Sequence, residues 1–153
     1  MRYWLFKSEP DTFGIDDLKA RGKKGEPWDG VRNYQARNML RDDIKKGDLI
    51  FFYHSNTKVP GIVGIAEVTK NAFPDPTQFD PEAKYFDPKA SPDNPRWYCP
   101  QVCFKSKFKD TISLEQLKSI PALQDMPLVR KGNRLSIMPV TEQQWNFIMG
   151  LAV

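Results

Sequence analysis

Residues 49–54, LIFFYH, are apolar up to their last position, and residues 59–69, VPGIVGIAEVT, contain a second apolar stretch. A continuous apolar run of this length, without polar alternation, is typical of a strand that is buried on both faces. In the second stretch, Gly61 and Gly64 stand where a strand of a tight barrel would bend. The two stretches therefore predict core strands of a small, strongly curved sheet.

The remaining elements are short and follow one another irregularly. Further strands are predicted at residues 2–6, 97–108 and 135–140, and helices at residues 15–21 and 34–45. Asn33 is placed to cap the second helix and Gly47 to end it, while Ser113 and Thr141 each open a capping box. Between residues 73 and 96, repeated prolines and an excess of acidic side chains predict a long surface loop. The pattern favours an α+β fold, a small mixed β-barrel surrounded by short helices, over a doubly wound sheet.

Length, charge and cysteine content exclude several classes of protein. The 153 residues predict one domain over residues 1–153. No apolar run approaches the ~20 residues of a membrane-spanning helix, and no signal-peptide core is present, so we expect no membrane partner. Two cysteines, Cys99 and Cys103, are too few for a disulfide framework, and we expect both thiols to be reduced. Lys and Arg number 23 against 19 Asp and Glu, and the net charge of +4 permits a nucleic-acid partner.

Few residues could carry catalysis. The sequence contains no glycine-rich phosphate loop, no nucleophile elbow and no paired metal-ligand spacing, so we expect no cofactor and no metal. His54 is the single histidine, and Glu9, beside Pro10, could act as a general base. An enzyme that uses Glu9 and His54 as acid and base on a nucleobase or nucleotide is therefore an alternative interpretation. The absence of the zinc signature of nucleobase deaminases counts against it.

A pattern of aromatic side chains close to polar residues indicates function more strongly than Glu9 and His54 do. Aromatic side chains, among them Trp28, Tyr34 and Trp97, occur close to polar residues at the predicted strand ends. Aromatic rings stack on nucleobases, and amides or hydroxyls form hydrogen bonds with base edges. The same tryptophans could equally be core residues, so composition alone leaves the function open.

Several long blocks of sequence resemble those of a known family and indicate a function more specifically than composition does. They are YWLFKSEP at residues 3–10, WDGVRNYQARN at 28–38, GDLIFFYHS at 47–55, GIVG at 61–64, Trp97, and the segment 134–145. In this order they resemble the EVE domain family over nearly the whole chain. The resemblance implies a PUA-like β-pseudobarrel, related to the YTH and ASCH domains, that holds a flipped modified base without catalysis. The base would be a modified cytosine in DNA or a modified base in RNA. Since stand-alone bacterial members are similar, we expect a monomeric, cytoplasmic, bacterial protein.

The resemblance also implies a set of ligand-binding residues. Those that would contact the base are Lys7, Ser8, Glu9, Arg32, Asn33, Tyr34, Gln35, His54 and Ser55. Trp28 and Trp97 would stack on the base, and Ser136 and Met138 would line the floor of the pocket.

Basic residues in one loop and along one helix are candidates for contacts with the nucleic-acid backbone. They are Lys19, Arg21, Lys23, Lys24, Arg37 and Arg41. A run of charges is more often a solvated face than a binding site, and the solvated face is the alternative interpretation of these residues. A protein that binds RNA irrespective of modification is a further alternative.

Overall fold

The computed structural model describes residues 1–133 and 135–152. Within them, the strands are β1 (Tyr3–Ser8), β2 (Glu26–Pro27), β3 (Leu49–His54), β4 (Gly61–Pro74), β5 (Tyr98–Ser113) and β6 (Ile137–Val140). They form one sheet in the order β2-β5-β4-β3-β1-β6, in which β1 and β3 are parallel and the other neighbours are antiparallel. Short helices surround the sheet, and the predicted α+β architecture is confirmed.

Strand β3 has the bounds predicted from its apolar run, and the structure shows why that run is continuous. β3 lies between β1 and β4, and its successive side chains enter two different hydrophobic clusters. Phe52 packs in the cluster that contains Trp28, whereas Phe51 packs in the cluster that contains Trp145. Because alternate side chains of a strand point to opposite faces, these clusters define a Trp28 face and a Trp145 face of the sheet.

Strands β4 and β5 extend further than predicted. The ladder between β4 and β5 contains several shifts of register. Polar residues of β5 continue this ladder beyond the apolar part of the strand. A Cβ atom on Gly61 would lie 2.3 Å from the Ile112 carbonyl oxygen, and one on Gly64 would lie 2.4 Å from the Ser106 carbonyl oxygen. The two glycines therefore allow β5 to approach β4 closely where the ladder bends.

The helices are α1 (Pro10–Phe13), α2 (Ile15–Ala20), α3 (Tyr34–Asn38), α4 (Leu114–Lys118) and α5 (Glu142–Leu151). The predicted helix at 34–45 begins where expected, because the Asn33 Oδ1 atom accepts a hydrogen bond of 2.9 Å from the Ala36 amide. It changes to a π-helical turn over Met39–Asp43, in which the Ile44 amide donates to the Met39 carbonyl. No helix in the described ranges is both long and apolar enough to cross a bilayer.

The predicted surface loop, here called the proline-rich loop (residues 75–97), is tied down by two buried polar side chains. Asp75 and Gln78 are fully buried. The Gln78 amide group donates to the carbonyl oxygens of Asp75 and Trp97, and its oxygen accepts from the amides of Arg96 and Trp97. These bonds close the base of the loop and fix its position against the sheet.

Candidate nucleic-acid interface

A cavity of about 490 Å³ opens on the Trp28 face, between the end of β1, helix α1, residues 26–33 and the tip of the proline-rich loop. We call it the Trp28 cavity. Seven of the predicted base-binding residues line it: Lys7, Ser8, Glu9, Trp28, Arg32, Asn33 and Ser136. Phe13, Asp29, Lys84 and Tyr85 also line it, and sequence reasoning did not identify them as site residues.

The aromatic wall of the cavity is held rigidly from behind. The Trp28 ring centre lies 5.2 Å from that of Phe6 and 5.5 Å from that of Phe52, and Phe13 approaches it edge-on. With its ring packed in this way, Trp28 is only 8% exposed. An indole fixed before binding loses little conformational freedom when a flat ligand stacks on it.

The opposite side of the cavity is formed by Tyr85, which lies close to Gly30. A Cβ atom on Gly30 would lie 2.6 Å from the Tyr85 ring, and the φ angle of Gly30 is +81°. Glycine thus meets two requirements at this position, a left-handed backbone and the close approach of an aromatic ring. The Trp-Asp-Gly block predicts a turn, but nothing near Tyr85 in sequence indicates this contact.

Arg32 lines the cavity, but its guanidinium group is used to hold the proline-rich loop. Its Nε and Nη2 atoms donate to the Tyr85 carbonyl oxygen, and Nη2 also donates to the Thr77 hydroxyl. Its Nη1 atom donates to the Val31 carbonyl oxygen and to Asp75 Oδ2. All five N–H groups of an arginine are therefore engaged. Arg32 thus holds Tyr85 at the cavity, and its predicted contact with the base stays a prediction.

The Asp75 carboxylate completes this anchor. It accepts hydrogen bonds from the Gly30 amide at 2.7 Å, from Arg32 at 3.1 Å, and from both the amide and the hydroxyl of Thr77. Burial alone would raise the pKa of Asp75, but the hydrogen bonds from Thr77, Gly30 and Arg32 outweigh it and hold the pKa below its ordinary value. The ion pair thus fastens the loop to the cavity wall.

Two residues that line the cavity carry shifted pKa values. Burial lowers the pKa of the Lys7 ammonium, which lies 5.7 Å from the centre of the Tyr53 ring on the Trp145 face. Partial burial raises the pKa of the Asp29 carboxyl, and the nearby Asp75 and Glu26 carboxylates raise it further. No ion pair involving Asp29 occurs among the described residues. A carboxyl group of this kind is available to bind a ligand.

Other predicted contacts lie outside the cavity. Trp97 is 6% exposed, Tyr34 stacks on it at a distance of 4.7 Å between ring centres, and its Nε1 atom donates to Asp87. Since both the ring and the N–H group of Trp97 are already occupied, its assignment as a stacking face is corrected. Tyr34 and Gln35 are exposed on α3 but do not line the cavity.

Three further residues, His54 and Ser55 predicted at a strand end and Met138 predicted on the pocket floor, do not line the cavity. The His54 Nε2 atom accepts a hydrogen bond from the Ile15 amide, and the Ser55 amide donates to the Ser8 carbonyl oxygen. His54 thus holds the start of α2, and Ser55 continues the pairing of β3 with β1. Met138 pairs with Leu5 in the ladder and is fully buried in the cluster of the Trp145 face. Its assignment to the pocket floor is corrected, because a strand places alternate side chains on opposite faces.

The alternative acid–base pair is not assembled around the cavity. Glu9 lines the cavity and accepts a hydrogen bond from Asn56, whereas His54 does not line it. Burial lowers the pKa of His54, which keeps the imidazole neutral at pH 7.

The chain is similar in sequence and structure to known proteins of one family. The family model for the EVE domain matches residues 2–151. The chain belongs to the EVE domain family. It is 43% identical to thymocyte nuclear protein 1 of Mus musculus, over 97% of this chain and 73% of that protein. A crystal structure of a Pseudomonas syringae protein is 50% identical, with a TM-score of 0.94 and 99% of each chain covered. Human THYN1, solved in complex with DNA that contains 5-methylcytosine, is 42% identical with a TM-score of 0.93, over 99% of this chain and 98% of that chain. The PUA-like fold expected of an EVE protein is confirmed.

The basic residues of this EVE protein differ in how far they are already paired. Arg41 forms two hydrogen bonds with its neighbour Asp42, and Arg21 forms an ion pair of 3.4 Å with Glu26. Lys19 lies over the ring of Phe104. Lys23 and Lys24 are exposed on a short 3-10 turn, Gly22–Lys24, and Arg37 projects from α3.

The His, Cys, Asp and Glu side chains, including the two thiols, are groups that could ligate a metal ion. Among residues 1–133 and 135–152, no group of three or more His, Cys, Asp or Glu side chains is arranged to hold a metal ion. Within the same ranges both Cys99 and Cys103 are free thiols.

Proposed function

We propose that this protein is a non-catalytic reader of modified cytosine in nucleic acid, and that the Trp28 cavity holds the modified base after it has left the base stack. The observation that carries the proposal is the combination, in one cavity, of an aromatic wall with the Asp29 carboxyl, which forms no ion pair with the described residues. The volume of the cavity, about 490 Å³, falls within the ~300–1,000 Å³ typical of small-ligand sites. The human relative solved with DNA containing 5-methylcytosine supports cytosine as the class of base.

The Asp29 carboxyl matches the donor on the hydrogen-bonding edge of cytosine. Cytosine presents an amino group as donor and two acceptors, N3 and O2. In this proposal the Asp29 carboxylate accepts a hydrogen bond from the amino group. Thymine and uracil have a carbonyl oxygen in place of the amino group, so an ionised Asp29 would repel them. The Ser8 hydroxyl donates to the Phe13 carbonyl oxygen at 2.6 Å and can therefore only accept from a ligand.

The energies of base binding are of suitable size. Removing a base from a duplex costs a few kcal/mol, and less at an unpaired position. Stacking on an aromatic ring returns about 1–3 kcal/mol, and hydrogen bonds to charged groups add about 1.5–3 kcal/mol each. Recognition of one methyl group adds about 1–3 kcal/mol in a fitted apolar pocket, so preference for 5-methylcytosine over cytosine should range from a few-fold to about two-hundred-fold.

The test is a binding series with oligonucleotides that differ only in one base: cytosine, 5-methylcytosine or thymine, in single- and double-stranded DNA and in RNA. We expect 5-methylcytosine to bind most tightly and thymine most weakly. The variant Asp29→Asn should reduce the discrimination between cytosine and thymine, whereas Asp125→Asn, an exposed residue between Leu123 and Met126 of the Trp145 face, should not. Equal affinity for all bases at several salt concentrations would contradict the proposal and favour binding that ignores the modification.

A further inference from the structure

A second group of residues lies beside the Trp28 cavity and shares only Arg32 with it. We call it the Trp97 stack, and it consists of Arg32, Tyr34, Arg37, Arg96 and Trp97. The Arg32 guanidinium lies 5.2 Å from the Trp97 ring centre, and Tyr34 stacks on Trp97 with an angle of 24° between the rings. The Arg37 and Arg96 guanidinium groups lie 4.9 and 5.7 Å from the Tyr34 ring centre. Cations held against aromatic rings in this way are ordered before any ligand arrives.

Hydrogen bonds fix the two outer arginines relative to each other. Arg37 Nη1 donates to the Arg96 carbonyl oxygen at 2.6 Å, and Arg96 Nη2 donates to the Tyr34 hydroxyl. Arg37 also donates from Nε to the Asn38 side chain. These contacts leave Nη2 of Arg37 and Nε of Arg96 without a partner in the hydrogen bonds between described residues.

The charges of the two arginines are only partly compensated. Arg96 Nη1 lies 3.7 Å from Asp87 Oδ2, a distance too long for a hydrogen bond. Arg37 has no carboxylate within 4.0 Å in the described part of the chain. Arg41, one turn further along, forms two hydrogen bonds of 2.7 and 2.8 Å with Asp42 and is therefore already neutralised. The structure thus separates two arginines that the sequence pattern treats alike.

The stack is joined directly to the cavity. Arg32 belongs to both, and Asn33 lines the cavity while its carbonyl oxygen accepts from the Arg37 amide at 2.8 Å. One helical turn, about 5.4 Å along the axis, therefore separates the rim of the cavity from Arg37. A strand that enters the cavity along α3 would bring a phosphate within reach of Arg37.

We propose that Arg37 and Arg96 form a phosphate clamp that binds the nucleic-acid backbone next to the extruded nucleotide. The Nη2 atom of Arg37 and the Nε and Nη1 atoms of Arg96 can donate hydrogen bonds to phosphate oxygens. Since the Tyr34 ring, stacked on Trp97, already holds both guanidinium groups in place, little side-chain entropy is lost on binding. The clamp rests on the proposed function for its ligand, but it contributes affinity that does not depend on the base.

The test compares Arg37→Gln with Arg130→Gln, which removes the same charge next to a 3-10 turn, Pro127–Val129, that packs on the Trp145 face. Affinities for the cytosine and 5-methylcytosine oligonucleotides are measured from 50 to 200 mM salt. We expect Arg37→Gln to weaken both oligonucleotides equally, by about tenfold, and to reduce the slope of log K against log salt by about 1. Arg130→Gln should change neither. Equal effects of the two variants would overturn the clamp.

Two further variants separate the effect of the charge from that of the planar guanidinium group and test the second arginine. Arg37→Lys retains the charge but loses the planar fork, so the salt slope should persist while the affinity falls; full affinity in Arg37→Lys would overturn the role of the planar guanidinium group. Arg96→Gln should act as Arg37→Gln does, with thermal melts confirming that the fold is intact. A wild-type protein with no preference between cytosine and 5-methylcytosine would contradict the proposed function, and the Arg37 and Arg130 comparison would still decide on the clamp.

Discussion

Trp28 and Trp97 are almost equally buried, at 8% and 6% exposure, yet they lie in regions with different properties. Trp28 is packed from behind by phenylalanines and borders an open cavity. Trp97 is covered by Tyr34 and has its N–H group bonded to Asp87. The degree of burial therefore does not distinguish a tryptophan that borders a cavity from one that is covered on its exposed side. What matters is whether the space beside the ring is empty or already filled.

The two regions would contribute different kinds of binding energy. The Trp28 cavity presents groups that can distinguish one base from another, whereas the Trp97 stack presents arginines suited to any phosphate. Arg32 connects them, because it lines the cavity, contacts the Trp97 ring and pairs with Asp75. A substitution that breaks the contacts of Arg32 should therefore affect binding through both regions. A substitution elsewhere in either region should affect binding through that region alone.

The largest effect is expected from Asp75→Ala. It removes the buried partner of Arg32 and the acceptor for Gly30 and Thr77, so the free energy of unfolding should fall by about 3–5 kcal/mol. Urea titration measures the loss. Asp80→Ala, in the same loop, is the matched control, because Asp80 is exposed and accepts from the Glu82 amide. Similar losses in the two variants would show that the anchor does not hold the loop.

The pKa of Asp75 gives this prediction a pH dependence. Because the pKa is held below the ordinary value of about 4 in the folded protein, the ionised carboxylate stabilises the fold at pH values above that value. The contribution is lost as the pH falls through the lowered pKa of the folded state. The difference in stability between wild type and Asp75→Ala should therefore be constant above about pH 5 and shrink under strongly acidic conditions.

Replacing each tryptophan by leucine tests whether Trp28 and Trp97 have different roles in binding. Both variants should lose stability, because each removes a large buried ring. Trp28→Leu should also lose about 1–3 kcal/mol of affinity for the modified oligonucleotide through lost stacking. Trp97→Leu, measured at a temperature where it is folded, should keep its preference between 5-methylcytosine and cytosine. A lost preference in Trp97→Leu, with an unchanged one in Trp28→Leu, would reverse the roles assigned to the two regions.

A smaller effect is expected on the stability of Asp29→Asn. The raised pKa of Asp29 means that its ionised form opposes folding, so the neutral amide should raise the melting temperature at pH 7. The gain should vanish as the pH falls below the unfolded pKa of about 4, where Asp29 is protonated in both states. Asp125→Asn is the control for the general effect of one charge. A variant with a lower melting temperature than wild type at pH 7 would indicate that Asp29 stabilises the fold.

The smallest effect is expected from Asn33→Ser. Serine keeps the helix cap, because its hydroxyl can accept from the Ala36 amide as Asn33 Oδ1 does now. It removes only the amide N–H donors that face the cavity rim, so stability should be unchanged and affinity should fall by up to about 1 kcal/mol. Asn33→Ala, which removes both, should lose about 1 kcal/mol of stability as well. Unchanged affinity in Asn33→Ser would make Asn33 a cap alone.

The parts of the fold that local sequence determines were predictable. The apolar run gives β3 its bounds, and the helix caps at Asn33 and Thr141 form as expected, because each depends on residues only three positions away. The long loop was predicted from its prolines. Its tight attachment was not, since Asp75 and Arg32 are 43 residues apart and no periodic pattern records their contact.

In the candidate site, too, only the residues whose positions follow from local sequence were predictable. Lys7, Ser8 and Glu9 follow directly from the end of a strand, and all three line the cavity. Met138 was misplaced because side chains alternate between faces, and a residue pairing with Leu5 must share its face rather than that of Trp28. Tyr85 was missed because it reaches the cavity only through the Arg32 contacts.

The most direct test of the Trp28 cavity as the base-binding site is NMR on an oligonucleotide whose single 5-methylcytosine carries a ¹³C-labelled methyl group. Bound to the protein, this methyl group should show nuclear Overhauser effects to ring protons of Trp28, Phe13 or Tyr85, together with a ring-current shift of its own resonance. Effects to Tyr34 or Trp97 instead, or a methyl resonance that stays at its position in the free duplex while the protein is saturated, would contradict the assignment.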